Sequence, residues 1–187
     1  MLTCFVLAEF ADLGHKLFRT TQEKYPIAFV PGDIFDSNHL DVVPPLEVPV
    51  GSSEEPIPDL RSLTSLNPLR GRVFAIHASS FFHLFGKEKQ LYVAHALAGL
   101  LSPEPGSVIF GLHVGNPEKG LITNQARGGH QMFCHSPESW TQLWDGLVFG
   151  KGVVNVEAKL VQVERKEGPD PSETRTATIL VWSVTRK

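Results

Sequence analysis

The feature that most constrains the fold is the alternation of strand-like and helix-like segments along the chain. Short apolar and β-branched runs at residues 2–7, 27–30, 73–77 and 107–112 are separated by helical patterns or by long connections, and two longer β-rich runs follow. The predicted order is β-α-β-loop-β-α-β-α-β-β. Strands that alternate with helices are typical of an α/β fold with a mainly parallel, three-layer sheet. The final pair of runs predicts a hairpin that adds an antiparallel strand.

Three helices are predicted from the spacing of apolar residues and from capping signals. The first covers Glu9 to Arg19, and the second covers Phe81 to Leu101 with Ser79 or Ser80 as its N-cap. A third helix begins after Ser136, because Pro137 is suited to the first helical position. The remaining predictions are a loop from His113 to about Phe133 and a hairpin formed by Val153 to Val163 and Thr176 to Thr185.

A proline-rich connection interrupts the pattern at about residues 37–70. It holds Pro44, Pro45, Pro49, Pro56, Pro58 and Pro68 of the chain's 14 prolines. Connections of this length are usually functional lids or linkers. One helical turn is predicted near Leu60 to Leu66. The 187 residues therefore predict a single domain that includes this connection.

Composition argues against several classes of function. The net charge of -3 does not predict a nucleic-acid-binding face, and no apolar run approaches the ~18 residues of a membrane helix. Neither nucleic acid nor membrane is therefore an expected partner, and a cytoplasmic location is the default in the absence of a targeting signal. Cys4 and Cys134 are too few for a cysteine zinc site, and no His-Glu-x-x-His motif is present, so no metal is expected. The oligomeric state is not indicated.

Polar residues follow three of the predicted strands, where ligands bind in open α/β sheets. Asp33 can accept hydrogen bonds from a ribose hydroxyl or an adenine amine, or it caps the turn after Pro31. His77 and His113 are candidate general bases, although a histidine among apolar neighbours is more often structural. No Gly-x-Ser-x-Gly motif or phosphate-binding glycine loop is present, which disfavours a serine hydrolase or a nucleotide-phosphate site.

Six segments in order carry a resemblance to a known family. Any one of them is a weak signal, whereas the six together are fairly specific. They are EFADLGHKLFR (9–19), FVPGDIFD (29–36), LTSLNPLRGR (63–72), IHASSFFHLF (76–85), LLSPEPGSVIFG (100–111) and MFCHSPESW (132–140). Together they resemble fungal class I S-adenosylmethionine-dependent methyltransferases, the kind found near secondary-metabolite genes.

The resemblance implies a Rossmann-like fold and a reaction. The expected cofactor is S-adenosylmethionine, and the expected reaction is methyl transfer to a small-molecule acceptor, a secondary metabolite. By resemblance, Asp33 and Ile34 lie against the adenine of the cofactor. His77, Ala78 and Ser79 line the cofactor and substrate side of the site.

The sequence departs from this family at its start. Such enzymes open with a strand and a glycine-rich turn that approaches the cofactor closely, but residues 1–32 contain no such turn, and Val6 stands where an acidic residue is usual. The chain thus resembles a methyltransferase without its first βα unit. Either residues 2–7 occupy the central strand position, or the chain is an incomplete product that folds poorly. The alternative functions are a non-catalytic truncated relative that acts as a binding or interaction module, and an unrelated α/β binding domain.

Overall fold

The computed structural model describes residues 2–3, 9–21, 23–24, 28–47, 58–124, 129–166 and 174–187. The helices are α1 (Glu9–Leu17), α2 (Lys87–Leu100) and α3 (Pro137–Trp144), with 3-10 helices at Asn67–Leu69 and Phe82–Leu84. The strands are β1 (Leu2–Thr3), β2 (Ala28–Phe29), β3 (Ala75–His77), β4 (Val108–Val114), β5 (Gly120–Asn124), β6 (His130–Cys134), β7 (Val154–Lys166) and β8 (Thr174–Arg186).

The main sheet has four strands in the order β3-β4-β8-β7. β3 and β4 are parallel, and α2 lies between them in the chain, as expected for a crossover connection. β8 runs antiparallel to both β4 and β7. The Rossmann-like α/β class is therefore confirmed. The C-terminal hairpin adds two strands to the sheet, and each is 13 residues long.

β1 and β2 form a separate parallel pair in which Leu2 lies opposite Ala28 and Thr3 lies opposite Phe29. Among the described residues, no strand pairing joins this pair to β3. Residues 4–8 lie outside the described residues. The hypothesis that residues 2–7 occupy the central strand position gains no support from Leu2 and Thr3, whose strand partner is β2, and for residues 4–7 it stays a prediction.

The predicted helix from Phe81 to Leu101 is two elements, and its predicted N-cap is wrong. A 3-10 helix covers Phe82–Leu84, and α2 begins only at Lys87 with Gly86 as its N-cap. Ser79 and Ser80 cannot cap α2 because they are engaged by β4. The Leu112 N–H donates to Ser79 Oγ, and the Ser80 N–H donates to the Leu112 carbonyl.

The predicted loop from His113 to Phe133 contains an antiparallel hairpin instead. β5 pairs with β6 from Gly120 opposite Cys134 to Asn124 opposite His130. In the sequence, the pair Gly128-Gly129 lies between two short apolar runs, which is typical of a hairpin turn. In the structure, Gly129 has φ 79°, a value that favours glycine. Residues 125–128 are outside the described residues.

The proline-rich connection is described on both sides of residues 48–57. Near the predicted helical turn at Leu60 to Leu66, the Ser62 N–H donates to the Asp59 carbonyl over 3.1 Å in a single turn. The short helix of the connection, the 3-10 helix Asn67–Leu69, starts later. Pro68 explains the later start, because its fixed φ suits the first residues of a helix.

The core lies on one face of the main sheet and is rich in aromatic side chains. The rings of Phe82 and Trp140 are 4.9 Å apart in an edge-to-face arrangement, and Trp140 is also 4.9 Å from Trp182 of β8. Such pairs stabilise a core beyond the area that they bury. On the opposite face of β4, the side chains of Phe110 and Leu112 are 40% and 38% exposed.

The start of α3 confirms the predicted capping signal and allows a stability prediction. The Ser136 side chain accepts from the Ser139 N–H, and Ser139 reciprocates in a capping box, with Pro137 in the first turn. We expect Ser136→Ala to lower the free energy of unfolding by about 1 kcal/mol in urea titrations. Gln142→Ala, an exposed change on the same helix, is the control and should stay within about 0.5 kcal/mol. Equal effects of the two changes would contradict the capping role.

Candidate ligand site at the carboxyl ends of β3 and β4

His77 and Ser79 come together where β3 ends. The Oγ of Ser79 lies 2.6 Å from Nε2 of His77, and the Leu112 N–H donates to the same oxygen over 3.2 Å. A hydroxyl can accept one hydrogen bond while it donates another. The Ser79 hydroxyl can therefore donate to Nε2 when that nitrogen carries no proton, and it still has a lone pair for the Leu112 N–H.

The segment after β3 crosses directly over Gly111 of β4. A Cβ atom at Gly111 would lie 2.3 Å from the carbonyl oxygen of Ala78, which is far inside contact distance. The Ser80 N–H donates to the Leu112 carbonyl over 2.6 Å, and Ser80 has φ 53°, a left-handed conformation that is uncommon for serine. The close approach therefore depends on the glycine, and it fixes Ala78 and Ser79 against the end of β4.

An aromatic surface lies beside the His77–Ser79 pair. The His77 ring stacks on Phe110 with centroids 5.0 Å apart and planes 29° apart, and both side chains are exposed. Exposed aromatic faces bind flat apolar groups and attract cations through the electrons of the ring. The end of the sheet thus offers an imidazole, a hydroxyl and an aromatic face together.

Asp33 and Ile34 lie in the turn after β2. The Phe35 N–H donates to Oδ1 of Asp33 over 3.0 Å, so the carboxylate caps the turn, as the alternative interpretation held. The side chain is nevertheless exposed and can accept hydrogen bonds from a ligand, while Ile34 packs against the core. Among the described residues, no hydrogen bond connects Asp33 with His77.

The Asp33 turn is connected to the end of β3 through aromatic contacts. The Phe35 ring is 5.1 Å from the Phe85 ring, and Phe85 is 5.1 Å from Phe81, both edge to face. Phe81 follows Ser80 directly in the chain. The predicted residues therefore form two groups, His77–Ser79 and Asp33–Ile34, which are linked by packing.

His113, the second candidate base, points into the core. It is 2% exposed and lies on the opposite face of β4 from Phe110. The Trp182 Nε1–H donates to its Nδ1 over 3.0 Å, and burial lowers the pKa of His113 to about 3, with smaller effects from His83 and His135. A buried and neutral ring does not suit proton transfer with a ligand at the exposed end of the sheet.

Other reactive groups are also buried. Cys134 is fully buried, and burial raises the pKa of its thiol to about 11, so it is not a thiolate at neutral pH.

Within the part of the chain that the structure describes, no three His, Cys, Asp or Glu side chains form a metal-binding cluster. A search of the same residues finds no helix with the length and hydropathy needed to span a bilayer.

Phe110 and Gly111 lie beside His77 and Ala78 in this candidate site and were not predicted from the sequence. The alternation of β4 was the available signal, because Phe110 must point away from the face that buries Ile109 and Gly111. The close approach at Gly111 required the position of the neighbouring strand, which no local pattern contains.

The amino-acid sequence is similar to those of known fungal proteins. The chain is 29% identical to O-methyltransferase phiE of a fungal species, over 84% of this chain and 44% of phiE. It is 35% identical to Asnovolin E/Chermesin D methyltransferase nvfJ of Aspergillus novofumigatus, over 49% of this chain and 33% of nvfJ. The chain is a homologue of fungal methyltransferases. The resemblance carried by the six sequence segments is therefore confirmed.

This methyltransferase homologue spans less than half the length of the curated relatives that it matches. No protein-family model matches it. A structure solved in work on the conversion of a disulfide bond into a thioacetal group during echinomycin biosynthesis has a similar fold. Its TM-score is 0.54 at 11% identity, over all of this chain and 66% of that one.

Proposed function

We propose that this chain serves methyl transfer from S-adenosylmethionine to a small-molecule acceptor, a secondary metabolite. The observation that carries the proposal is the homology to O-methyltransferase phiE over 84% of the chain. The homology favours an enzyme over the alternative of a non-catalytic interaction module. Because phiE is an O-methyltransferase, the acceptor atom that we propose is an oxygen.

The side chains at the end of the sheet fit such a cofactor. The exposed Asp33 carboxylate would accept hydrogen bonds from the amine or hydroxyls of its adenosine, and Ile34 would contact the base. His77, Ala78 and Ser79 would line the other end, next to the Phe110 ring. The bound cofactor supplies a methyl group on a positively charged sulfur, and an exposed aromatic face suits a cation.

His77 is the proposed base for an oxygen acceptor. A hydroxyl must lose its proton as its oxygen gains the methyl group, and Ser79 can receive that proton while it passes its own to His77 Nε2. The exposed His77 ring then releases the proton to solvent. The rest of the rate acceleration is proximity and alignment, which the rigid Ala78–Ser79 segment supports.

Titration calorimetry of S-adenosylhomocysteine into the purified chain tests the proposal. We expect binding near micromolar strength, about -8 kcal/mol, and at least a tenfold loss in Asp33→Ala. Asp59→Ala is a matched control, because Asp59 is also exposed and makes the same kind of turn with the Arg61 N–H. We expect Asp59→Ala to bind like the wild type.

Three results would contradict parts of the proposal. A folded chain that does not bind S-adenosylhomocysteine would refute the cofactor. Equal losses in Asp33→Ala and Asp59→Ala would reduce Asp33 to a turn-capping residue. Binding without methyl transfer to any phenolic or carboxylic acceptor would favour the non-catalytic alternative.

A further inference from the structure

The segment Leu63 to Arg72 belongs to the resemblance, yet none of its residues has a role in the site described above. Its Asn67 side chain contacts residues 37–41, at the start of the proline-rich connection. Nδ2 donates to the carbonyl oxygens of Ser37 and Asn38, over 3.0 and 3.1 Å. Oδ1 accepts from the Asp41 N–H over 2.9 Å.

The carboxamide of Asn67 uses both of its donors and both lone pairs of its acceptor. The second bond to Oδ1 comes from Nη2 of Arg70 over 3.0 Å, and the same guanidinium lies 3.2 Å from the Asp41 carboxylate. An alanine would make none of these bonds, and an aspartate could not donate to the two carbonyls. We call this arrangement of Asn67 with residues 37–41 the Asn67 clamp.

The Asn67 clamp fixes the turn that carries Asp33. The N–H groups of His39 and Leu40 donate to the Asp36 carbonyl, and the Asp36 N–H donates to the Asp33 carbonyl over 3.0 Å. A Cβ atom at Gly32 would lie 2.1 Å from Nδ1 of His39, so the buried His39 ring packs directly on the backbone that precedes Asp33. Asp33 is thus held from both sides by a segment that Asn67 anchors.

We propose that Asn67 is a positioning residue, which places the Asp33 carboxylate for the nucleoside part of the cofactor. The inference rests on the proposed function, because it takes Asp33 as a ligand contact. Asn67 acts through residues 36–41 and does not itself touch the ligand.

A double-mutant cycle with S-adenosylhomocysteine tests this role. We expect about tenfold weaker binding in Asn67→Ala, and we expect Asn67→Ala to have no further effect in the Asp33→Ala background. Coupled residues show this loss of additivity, whereas independent residues do not. Ser136→Ala, which lowers stability at α3, is the control and should leave the dissociation constant unchanged. Asn67→Asp keeps the acceptor side of the clamp but places a carboxylate oxygen against the two carbonyl oxygens, so it should also bind more weakly than wild type.

The pKa of His39, followed by NMR in the absence of ligand, reports whether the Asn67 clamp is intact. Burial lowers the pKa of His39, although Asp36 and Asp33 act in the opposite direction. If Asn67→Ala frees residues 36–41, proton NMR titration should show the pKa of His39 rising toward its usual 6.5.

The outcomes separate the inference from the proposed function. Wild-type affinity in Asn67→Ala, or full additivity with Asp33→Ala, would overturn the positioning role while the cofactor assignment stands. An unchanged His39 titration in Asn67→Ala would also overturn it. Failure of the wild-type chain to bind S-adenosylhomocysteine would refute the proposed function, and the positioning role with it.

Discussion

Replacing Gly111 with alanine is expected to lower the free energy of unfolding by about 3 kcal/mol. The new methyl group would lie 2.3 Å from the Ala78 carbonyl oxygen and 2.7 Å from its carbon. Backbone atoms cannot move aside as a flexible side chain can. The segment must lift from β4, which breaks the bonds between Leu112 and residues 79–80. Urea titration measures the loss.

Gly120→Ala is the matched control for this substitution. Gly120 also lies in a strand, but its added Cβ would meet nothing within 4 Å. The change should therefore alter stability by no more than about 0.5 kcal/mol. Identical urea midpoints for Gly111→Ala and the wild type would contradict the close approach. Since the lifted segment carries Ala78 and Ser79, Gly111→Ala should also weaken binding of S-adenosylhomocysteine.

Acidification from pH 7.5 to pH 5 is expected to lower stability by about 4 kcal/mol through two buried histidines. Burial lowers the pKa of His113 to about 3 and that of His135 to about 4, and for His135 the nearby Lys119 and Lys87 add to the effect. In the unfolded chain both groups have a pKa near 6.5. The unfolded state therefore binds more protons than the folded state below pH 6.5.

The sign and size of this effect follow from linkage. Both folded pKa values are lower than the unfolded value, so the stability contribution is complete above pH 6.5. It falls as the pH drops from 6.5 toward 3. The contribution of each histidine to the free energy of unfolding falls by about 1.4 kcal/mol for each pH unit below 6.5. At pH 5 this loss is about 2 kcal/mol for each histidine. Urea midpoints measured across this range give the slope.

His113→Gln isolates one of the two contributions. The glutamine carbonyl can accept the Trp182 Nε1–H that His113 Nδ1 accepts in the wild type, but it does not titrate. The variant should therefore lose about half as much stability as the wild type between pH 7.5 and pH 5. The same slope in both proteins would show that His113 does not cause the acid sensitivity.

Much of the fold could be predicted because its signals are local. The capping box of α3 involves residues three apart, and the β7 and β8 runs are rich in β-branched residues and flank a short Gly-Pro-containing connection. The start of α2 could not be predicted in this way. Ser79 and Ser80 are good N-cap residues by type, but their hydrogen bonds go to Leu112, which is more than 30 residues away in the chain. The local sequence allows the helix to start at Ser79 or Ser80 or at Gly86, and the tertiary contact of the two serines with Leu112 leaves Gly86 as the N-cap.

The candidate site was predictable to a similar extent. The rule that ligands bind at the carboxyl ends of strands selected His77 and Ser79, which the structure brings together. The same rule could not tell His77 from His113, because both residues follow apolar strand patterns. The difference is the face of the sheet, and that depends on which side α3 and Trp182 cover.

The position of β8 in the sheet has a consequence for synthesis. Among the described strands, it alone hydrogen-bonds to both β4 and β7, yet it follows both of them in the chain. A ribosome that adds roughly 5–20 residues per second therefore exposes β4 for several seconds before residues 174–186 exist. During that interval the nascent chain carries an unpaired apolar strand edge, which is the state that chaperones protect from aggregation.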